Sequence, residues 1–120
     1  MDKIIIHGGK KLRGTVRISG SKNASLPILI ASILTDETCA ITNVPDLADI
    51  DTTVGFVSYI GKNISRRGDK VTIEKNGRLR SSAPYDLVRK MRASVLVMGA
   101  LLARLGHDAF KLYYLSCSTG

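Results

Sequence analysis

The order of hydrophobic and polar positions along the chain predicts strands that alternate with helices. Short apolar or alternating runs bounded by turn residues predict strands, and longer runs with apolar positions three and four residues apart predict helices. The predicted strands cover residues 3–7, 12–19, 39–43, 63–67 and 70–75. The predicted helices cover residues 24–34, 51–60 and 84–105. The fold class is therefore α/β, with two helices between short strands and a long helix after a hairpin.

Capping residues and turn residues indicate where the predicted helices begin and end. Asn23 is a candidate cap for the first helix, and Pro27 then falls in the first turn, where proline is tolerated. Asp49 or Asp51 is a candidate cap for the second helix, which Gly61 ends. The second helix would carry an apolar stripe at every third or fourth position.

Two of the predicted helical segments carry no charged side chain on any face. These are residues 24–34 and 93–103, and a helix that is apolar all round is buried all round. The strand 70–75 instead alternates polar and apolar residues, so its sheet should face water on one side. This combination predicts helices in the middle and sheets outside, and a chain of 120 residues has too few strands to enclose such a core. We therefore expect the chain to be part of something larger.

The charge of the chain is concentrated in one segment. The 18 Lys and Arg against 10 Asp and Glu give a net charge of +8, and residues 62–92 contribute +7 of it, with ten basic and three acidic residues. Such an excess is typical of nucleic-acid-binding proteins and also of sites for small polyanions. The basic residues are Lys62, Arg66, Arg67, Lys70, Lys75, Arg78, Arg80, Arg89, Lys90 and Arg92.

Other features of the sequence exclude several classes of protein. The two cysteines, Cys39 and Cys117, form neither a disulfide framework nor a metal-ligand cluster, and we expect no metal and no cofactor. The apolar stretch 93–103 is shorter than the ~20 residues that span a bilayer. The start of the chain lacks the pattern of a secretory signal, so a cytoplasmic location is expected.

Four positions are candidates for anion chemistry or acid chemistry. Lys22 lies in a turn directly before a helix N-terminus, a place that attracts anions. Arg89 and Arg92 share one face of the long helix, and a guanidinium suits bidentate pairing with phosphate or carboxylate. Cys117 lies in a loop of small residues, where a thiol of lowered pKa could act as an acid or a nucleophile. For each position, a solvated side chain or an inert thiol is the alternative.

Several strings of the sequence together resemble one family of enzymes. They are Ser-Gly-Ser-Lys-Asn-Ala at 19–24, Asn-Val-Pro-Asp-Leu at 43–47, and Ala-Pro-Tyr-Asp-Leu-Val-Arg-Lys-Met-Arg-Ala-Ser at 83–94. In these strings the chain is similar to the UDP-N-acetylglucosamine 1-carboxyvinyltransferases, which belong to the EPSP synthase-like enolpyruvyl transferases. The resemblance covers residues 1–106 and implies an inside-out α/β barrel built of βαβαββ units, of which only part is present. It also implies the first committed step of peptidoglycan synthesis.

The resemblance implies roles for four residues. Lys22 and Asn23 would bind phosphoenolpyruvate, Arg92 would bind UDP-N-acetylglucosamine, and Cys117 would be the proton donor and the target of fosfomycin. The loop before Cys117 lacks the Pro-Gly-Gly of the family. The partners implied are these two small anionic substrates and the remainder of the enzyme, without a membrane and without nucleic acid.

The resemblance further implies how the chain is divided. Residues 1–21 would supply the first strands, which belong to the second domain in the family, and residues 22–120 would form a partial enolpyruvyl transferase domain of about one and a half units. We expect such an amino-terminal fragment to be inactive alone. The alternatives are a basic nucleic-acid-binding module and an interaction fragment that docks on a full-length homologue.

Overall fold

The computed structural model of the chain describes residues 2–80, 87, 89–90 and 94–106. Three helices, one short 3₁₀ helix and three strands form the described part. In chain order these elements are α1 (Lys22–Ala31), the 3₁₀ helix (Ser32–Leu34), β1 (Cys39–Ile41), α2 (Ala48–Ile60), β2 (Lys62–Arg67), β3 (Lys70–Lys75) and α3 (Ser94–Leu105).

The three strands form one antiparallel sheet in the order β1-β3-β2. Ile73 of β3 pairs with Cys39 of β1 on one side and with Ile64 of β2 on the other, so these three side chains share a face. Val71 and Ile73 are buried on that inner face, while the alternating positions of β3 are polar and carry the outer face. The predicted alternation and the predicted hairpin are thus both confirmed.

The helices pack on the inner face of the sheet and on one another. α2 contacts β2, and α1 contacts both α2 and α3. The largest fully buried side chains come from all three helices, the 3₁₀ helix, β3 and the loop before α2, with Phe56 of α2 the bulkiest of them. The hydrophobic core is formed by Leu29, Ile30, Ile33, Val44, Ile50, Phe56, Val57, Ile60, Val71, Ile73, Val97, Ala100 and Leu101.

The apolar helices are buried on one side only, which corrects the expectation of burial all round. Ile28 and Leu34 remain 49% and 47% exposed, and Leu96 and Leu102 of α3 remain 47% and 41% exposed. The physical reason is that the described elements cover a single side of these helices.

The first two predicted strands are not formed. Residues 2–19 belong to no helix or strand, and Ile4, Ile5 and Ile6 are 77–89% exposed. A strand needs a neighbouring strand for its backbone hydrogen bonds, and no described strand lies beside this segment. The pattern of side chains predicted strands here, but the described residues supply no strand with which these segments pair.

The structure also moves the bounds of the later helices. α2 begins at Ala48, and Leu47 occupies the N-cap without a side-chain hydrogen bond, so neither Asp49 nor Asp51 is the cap. Both aspartates lie in the first turn, where their negative charge still interacts favourably with the helix dipole. Gly61 ends α2 with φ 122°, as predicted.

The long helix predicted from residue 84 is not continuous. Leu87 and Arg89 are helical, Lys90 lies in a turn, and α3 begins at Ser94. Among the described residues, no helix has the length and apolar character needed to cross a membrane.

Candidate functional site

The first turn of α1 is fixed by the serine that precedes it. Ser21 has extended backbone angles, and its Oγ accepts a hydrogen bond from the backbone N–H of Ala24 at 3.2 Å. Its carbonyl oxygen accepts from both the N–H (3.0 Å) and the Oγ (2.7 Å) of Ser25. Ser21 is therefore the N-cap, which corrects the prediction of Asn23. Because the helix begins at Lys22, Pro27 lies in its second turn.

Lys22 is held at the helix N-terminus by a carboxylate of another helix. Its Nζ donates to Oδ2 of Asp49 at 2.7 Å, and the two side chains are 39% and 42% exposed. Asp49 lies in the first turn of α2, so the pair joins the N-terminal ends of two helices. This ion pair holds the ammonium group at the surface, where a dissolved anion can reach it.

Asn23 follows Lys22 in the first turn of α1 and is exposed. The N–H groups in the first turn of a helix have no acceptor within the helix, and together they carry a partial positive charge. A lysine ammonium, an exposed amide and a helix N-terminus are thus gathered at one place. This arrangement can bind a small anion such as a phosphate or a carboxylate.

The backbone just before this turn is in tight contact with the loop between β1 and α2. A Cβ atom added to Gly20 would lie 1.6 Å from the carbonyl oxygen of Asn43 and 3.2 Å from Cδ of Pro45. Asn43 itself has φ 60°, a left-handed conformation that asparagine tolerates better than most residues. Only glycine fits at position 20 with the loop in this place.

Two of the predicted site residues, Arg92 and Cys117, lie outside the described residues. Lys22 and Asn23 both lie in the first turn of α1, whereas the sequence predicted Lys22 in the turn before the helix and Asn23 as its cap. Asp49 was missed as a site residue, because its position in the chain suggested only a helix cap. Its distance of 27 positions from Lys22 in the sequence left no local signal for the ion pair.

A second group of charged residues lies at the start of β2. Lys62 is 2% exposed, and its Nζ donates to the carbonyl oxygen of Thr35. The carboxylate of Asp36 accepts from Lys75 at 3.3 Å and also from Arg104 of α3. This group ties the end of the 3₁₀ helix to β2, β3 and α3.

The surroundings of these groups shift two pKa values. Burial lowers the pKa of Lys62, against the raising effect of Asp36, while Arg104 and Lys75 lower it further. Partial burial acts to raise the pKa of Asp36. The hydrogen bond from Lys75 and the charges of Arg104, Lys75 and Lys62 outweigh this effect, and hold the pKa below its usual value.

Several cations of the basic segment serve contacts within the chain. Lys62 and Lys75 belong to the group just described, Arg66 donates to two backbone carbonyls, and Arg80 lies over the ring of Tyr59 at 4.8 Å. Arg66 is half-buried, whereas Lys75 and Arg80 stay exposed at the surface while they make these contacts. These contacts leave fewer cations for a nucleic-acid backbone than the charge suggested.

The part of the chain that the structure describes contains neither a disulfide nor a cluster of metal-binding side chains. Cys39 is a free, half-buried cysteine in β1, with its Sγ 3.7 Å from the carbonyl oxygen of Glu37. Within that part, no three His, Cys, Asp or Glu side chains come together as a metal site would require.

Comparison with known proteins identifies what the chain is similar to. Residues 6–116 match the family model described as EPSP synthase (3-phosphoshikimate 1-carboxyvinyltransferase). The chain is 56% identical over 105 residues to a UDP-N-acetylglucosamine 1-carboxyvinyltransferase of Endomicrobium trichonymphae, and 53% identical over 112 residues to one of Desulfosudis oleivorans. These alignments cover 88% and 93% of the chain but only 25% and 27% of the relatives. The chain thus spans about a quarter of the length of the curated relatives it matches.

A solved structure extends the likeness to the fold. The enolpyruvyl transferase NikO from Streptomyces tendae superposes with a TM-score of 0.68 at 28% identity, over 84% of the chain and 24% of NikO. This likeness confirms the expected fold class, since the described helices and sheet correspond to part of an enolpyruvyl transferase.

Proposed function

Because the chain belongs to the EPSP synthase family, we propose that it is part of a UDP-N-acetylglucosamine 1-carboxyvinyltransferase. Such an enzyme transfers the enolpyruvyl group of phosphoenolpyruvate to the 3′-hydroxyl of UDP-N-acetylglucosamine and releases phosphate. The observation that carries the proposal is the 50–56% identity to relatives of that name over 88–93% of the chain. The proposal includes the role in cytoplasmic peptidoglycan synthesis.

In this proposal Lys22 and Asn23 bind phosphoenolpyruvate. A lysine ammonium has three N–H donors, and the carboxylate of Asp49 takes one of them at 2.7 Å. The others can donate to a phosphate or a carboxylate of the ligand, beside the positive end of α1. Asp49 would then fix the direction of the ammonium group while the ligand takes up its remaining donors.

Two further residues complete the proposed site. Arg92 would bind UDP-N-acetylglucosamine, and Cys117 would donate a proton to the methylene carbon of phosphoenolpyruvate. Fixed cations near the phosphate would stabilise it as charge moves in the transition state. Since the chain spans about a quarter of its relatives, we expect it to be inactive alone.

The division of the chain is part of the same proposal. Residues 1–21 would belong to the second domain of the enzyme, and residues 22–120 to a partial enolpyruvyl transferase domain. In support, residues 2–19 form no helix or strand, and their large apolar side chains are exposed.

Titration of the chain with phosphoenolpyruvate, followed by ¹H–¹⁵N NMR, tests the proposed binding site. We expect the amide signals of Lys22 and Asn23 to shift, and the shift to be lost in Lys22→Met. Lys70→Met is the matched control, because Lys70 is an exposed lysine of β3, and it should bind like the wild type. Equal binding by Lys22→Met, or no binding by the wild type, would contradict the proposal.

The role of Cys117 has a separate test by mass spectrometry. The chain is incubated with fosfomycin in the presence of UDP-N-acetylglucosamine, and its intact mass is measured with Cys117→Ser as control. An adduct that requires Cys117 supports a working pocket. Absence of the adduct shows that the isolated chain lacks a working pocket, whereas an adduct that persists in the variant contradicts the role of Cys117.

A further inference from the structure

Arg66 is an unusual residue for its position in the sheet. It pairs with Val71 near the end of β2, on the same face as the buried Ile73. Apolar side chains would be expected on this face, because it packs against the helices. A half-buried guanidinium here needs an explanation other than solvation.

The guanidinium of Arg66 joins two separate loops. Its Nε donates to the carbonyl oxygen of Gly68 in the β2–β3 turn at 3.0 Å, and its Nη2 donates to the carbonyl oxygen of Val44 at 3.1 Å. The N–H of Val44 donates to the carbonyl oxygen of Asp69, at 2.9 Å. Residues 42–47, which we name the Val44 loop, are thus fastened to the hairpin through both the N–H and the carbonyl oxygen of Val44.

One nitrogen of the same guanidinium is buried without a hydrogen bond to the described residues, which lowers the stability of the fold. Its Nη1 is inaccessible to water and has no hydrogen-bond partner among the described residues. Leaving a buried donor unpaired is unfavourable, so the arrangement is not the best one for stability alone. A loss of stability from an unpaired donor is tolerated where the side chain holds two loops in a fixed position.

The Val44 loop in turn fixes the backbone that precedes α1. Asn43 and Pro45 are packed against Gly20, so closely that no side chain fits there. Gly20 is followed at once by the N-cap Ser21 and by Lys22. A cavity of about 400 Å³ lies at this junction, lined by residues of all three segments, Gly20, Val44 and Arg66 among them.

We propose that Arg66 is a positioning residue for the N-terminus of α1, acting through the Val44 loop and Gly20. It holds the turn that presents Lys22 without touching Lys22 itself. Its importance for ligand binding rests on the proposed function, whereas its action on the turn does not.

Amide hydrogen exchange of the 120-residue chain tests this role without a ligand. In Arg66→Lys the positive charge remains, but the planar fork that reaches both carbonyls is lost. We expect amide exchange at Ser25 and Val44 to become roughly tenfold faster, which is the effect on local opening expected from the loss of one hydrogen bond. Exchange at Phe56 and Ile73 in the core should stay at the wild-type rate.

Arg67→Lys is the matched control, because Arg67 is the exposed neighbour in the same strand, and it should leave all four rates unchanged. Unchanged rates at Ser25 and Val44 in Arg66→Lys would overturn the inference. Equal acceleration at Phe56 and Ile73, or an unfolded variant, would also overturn it, since Arg66 would then support the whole fold. A wild-type chain without dispersed amide signals would overturn it as well.

A phosphoenolpyruvate titration of the same variants separates this inference from the proposed function. We expect Arg66→Lys to weaken binding at least threefold and Arg67→Lys to leave it unchanged. If the wild type does not bind, the proposed function fails while the exchange rates still decide the role of Arg66. If the wild type and Arg66→Lys bind equally, the link from Arg66 to Lys22 is wrong.

Discussion

Replacement of Gly20 by alanine tests the contact between the Val44 loop and the start of α1. The new Cβ would lie 1.6 Å from the carbonyl oxygen of Asn43, whereas distances under 3.0 Å essentially never occur for real Cβ atoms. The obstacle is backbone on both sides, so rotation of a side chain cannot relieve it. The two segments must therefore separate by more than 1 Å.

The size of the effect follows from what holds the Val44 loop in place. Its two anchoring hydrogen bonds are 2.9 and 3.1 Å long, and a displacement of this size would break both. Loss of both bonds costs about 2–4 kcal/mol. The smaller entropy of unfolded alanine returns about 0.4–1 kcal/mol, so we expect Gly20→Ala to lower the free energy of unfolding by about 1–4 kcal/mol.

Urea unfolding followed by circular dichroism measures this change, with Gly55→Ala as the matched control. Gly55 lies in α2 with open space where its Cβ would be, so alanine there should raise the free energy of unfolding by roughly 0.5–1 kcal/mol. A Gly20→Ala chain as stable as the wild type would refute the reasoning. A loss of equal size in Gly55→Ala would show that the close contact is not the cause.

Three further predictions concern the core and the charged group of Asp36 and Lys62 at the start of β2. Phe56→Ala, which removes a side chain 1% exposed, should cost about 3–5 kcal/mol; urea unfolding would show this, and Ser58→Ala on the exposed side of α2 should cost far less. The lowered pKa of Asp36 means that the unfolded chain binds its proton first as the pH falls below about 4. The wild type should therefore lose stability there, and Asp36→Asn should show a shallower acid limb in thermal unfolding; equal limbs would contradict the pairing. The lowered pKa of Lys62 means that the folded chain loses this proton before the unfolded chain does, so stability from this group should rise as the pH approaches about 10.4. Lys62→Met should flatten the rise of stability with pH. If the slope of stability against pH is unchanged in this variant, the rise comes from another group.

The elements that the sequence predicted well are those whose backbone hydrogen bonds join residues close together in the chain. The helices close their bonds within a few residues, and the hairpin β2–β3 pairs adjacent segments. Residues 3–7 and 12–19 have the side chains of strands but depend on a partner that no short-range pattern can supply. Cap choice failed for a related reason, since Ser21 and Asn23 are both good capping residues and only the backbone angles decide between them.

The sequence suggests candidate residues for the site but not the contacts that those residues make. Lys22 and Asn23 follow from the position before a helix and from the resemblance to a family. Asp49 and Arg66 act across 27 and 22 positions, to Lys22 and to Val44, and such contacts depend on how the elements pack. In the sequence Arg66 is one of ten basic residues in a charged segment, and strand alternation alone does not tell whether the face on which it lies is covered.

The exposed isoleucines near the start of the chain have a consequence for its behaviour in solution. Ile4, Ile5 and Ile6 form a β-prone apolar run that no described element covers. Runs of this kind recruit identical segments of other molecules into shared sheets. Lys10 and Lys11 follow close behind and act as gatekeepers, because their charges repel neighbouring copies. Salt screens that repulsion, so turbidity of the chain should rise with both concentration and ionic strength.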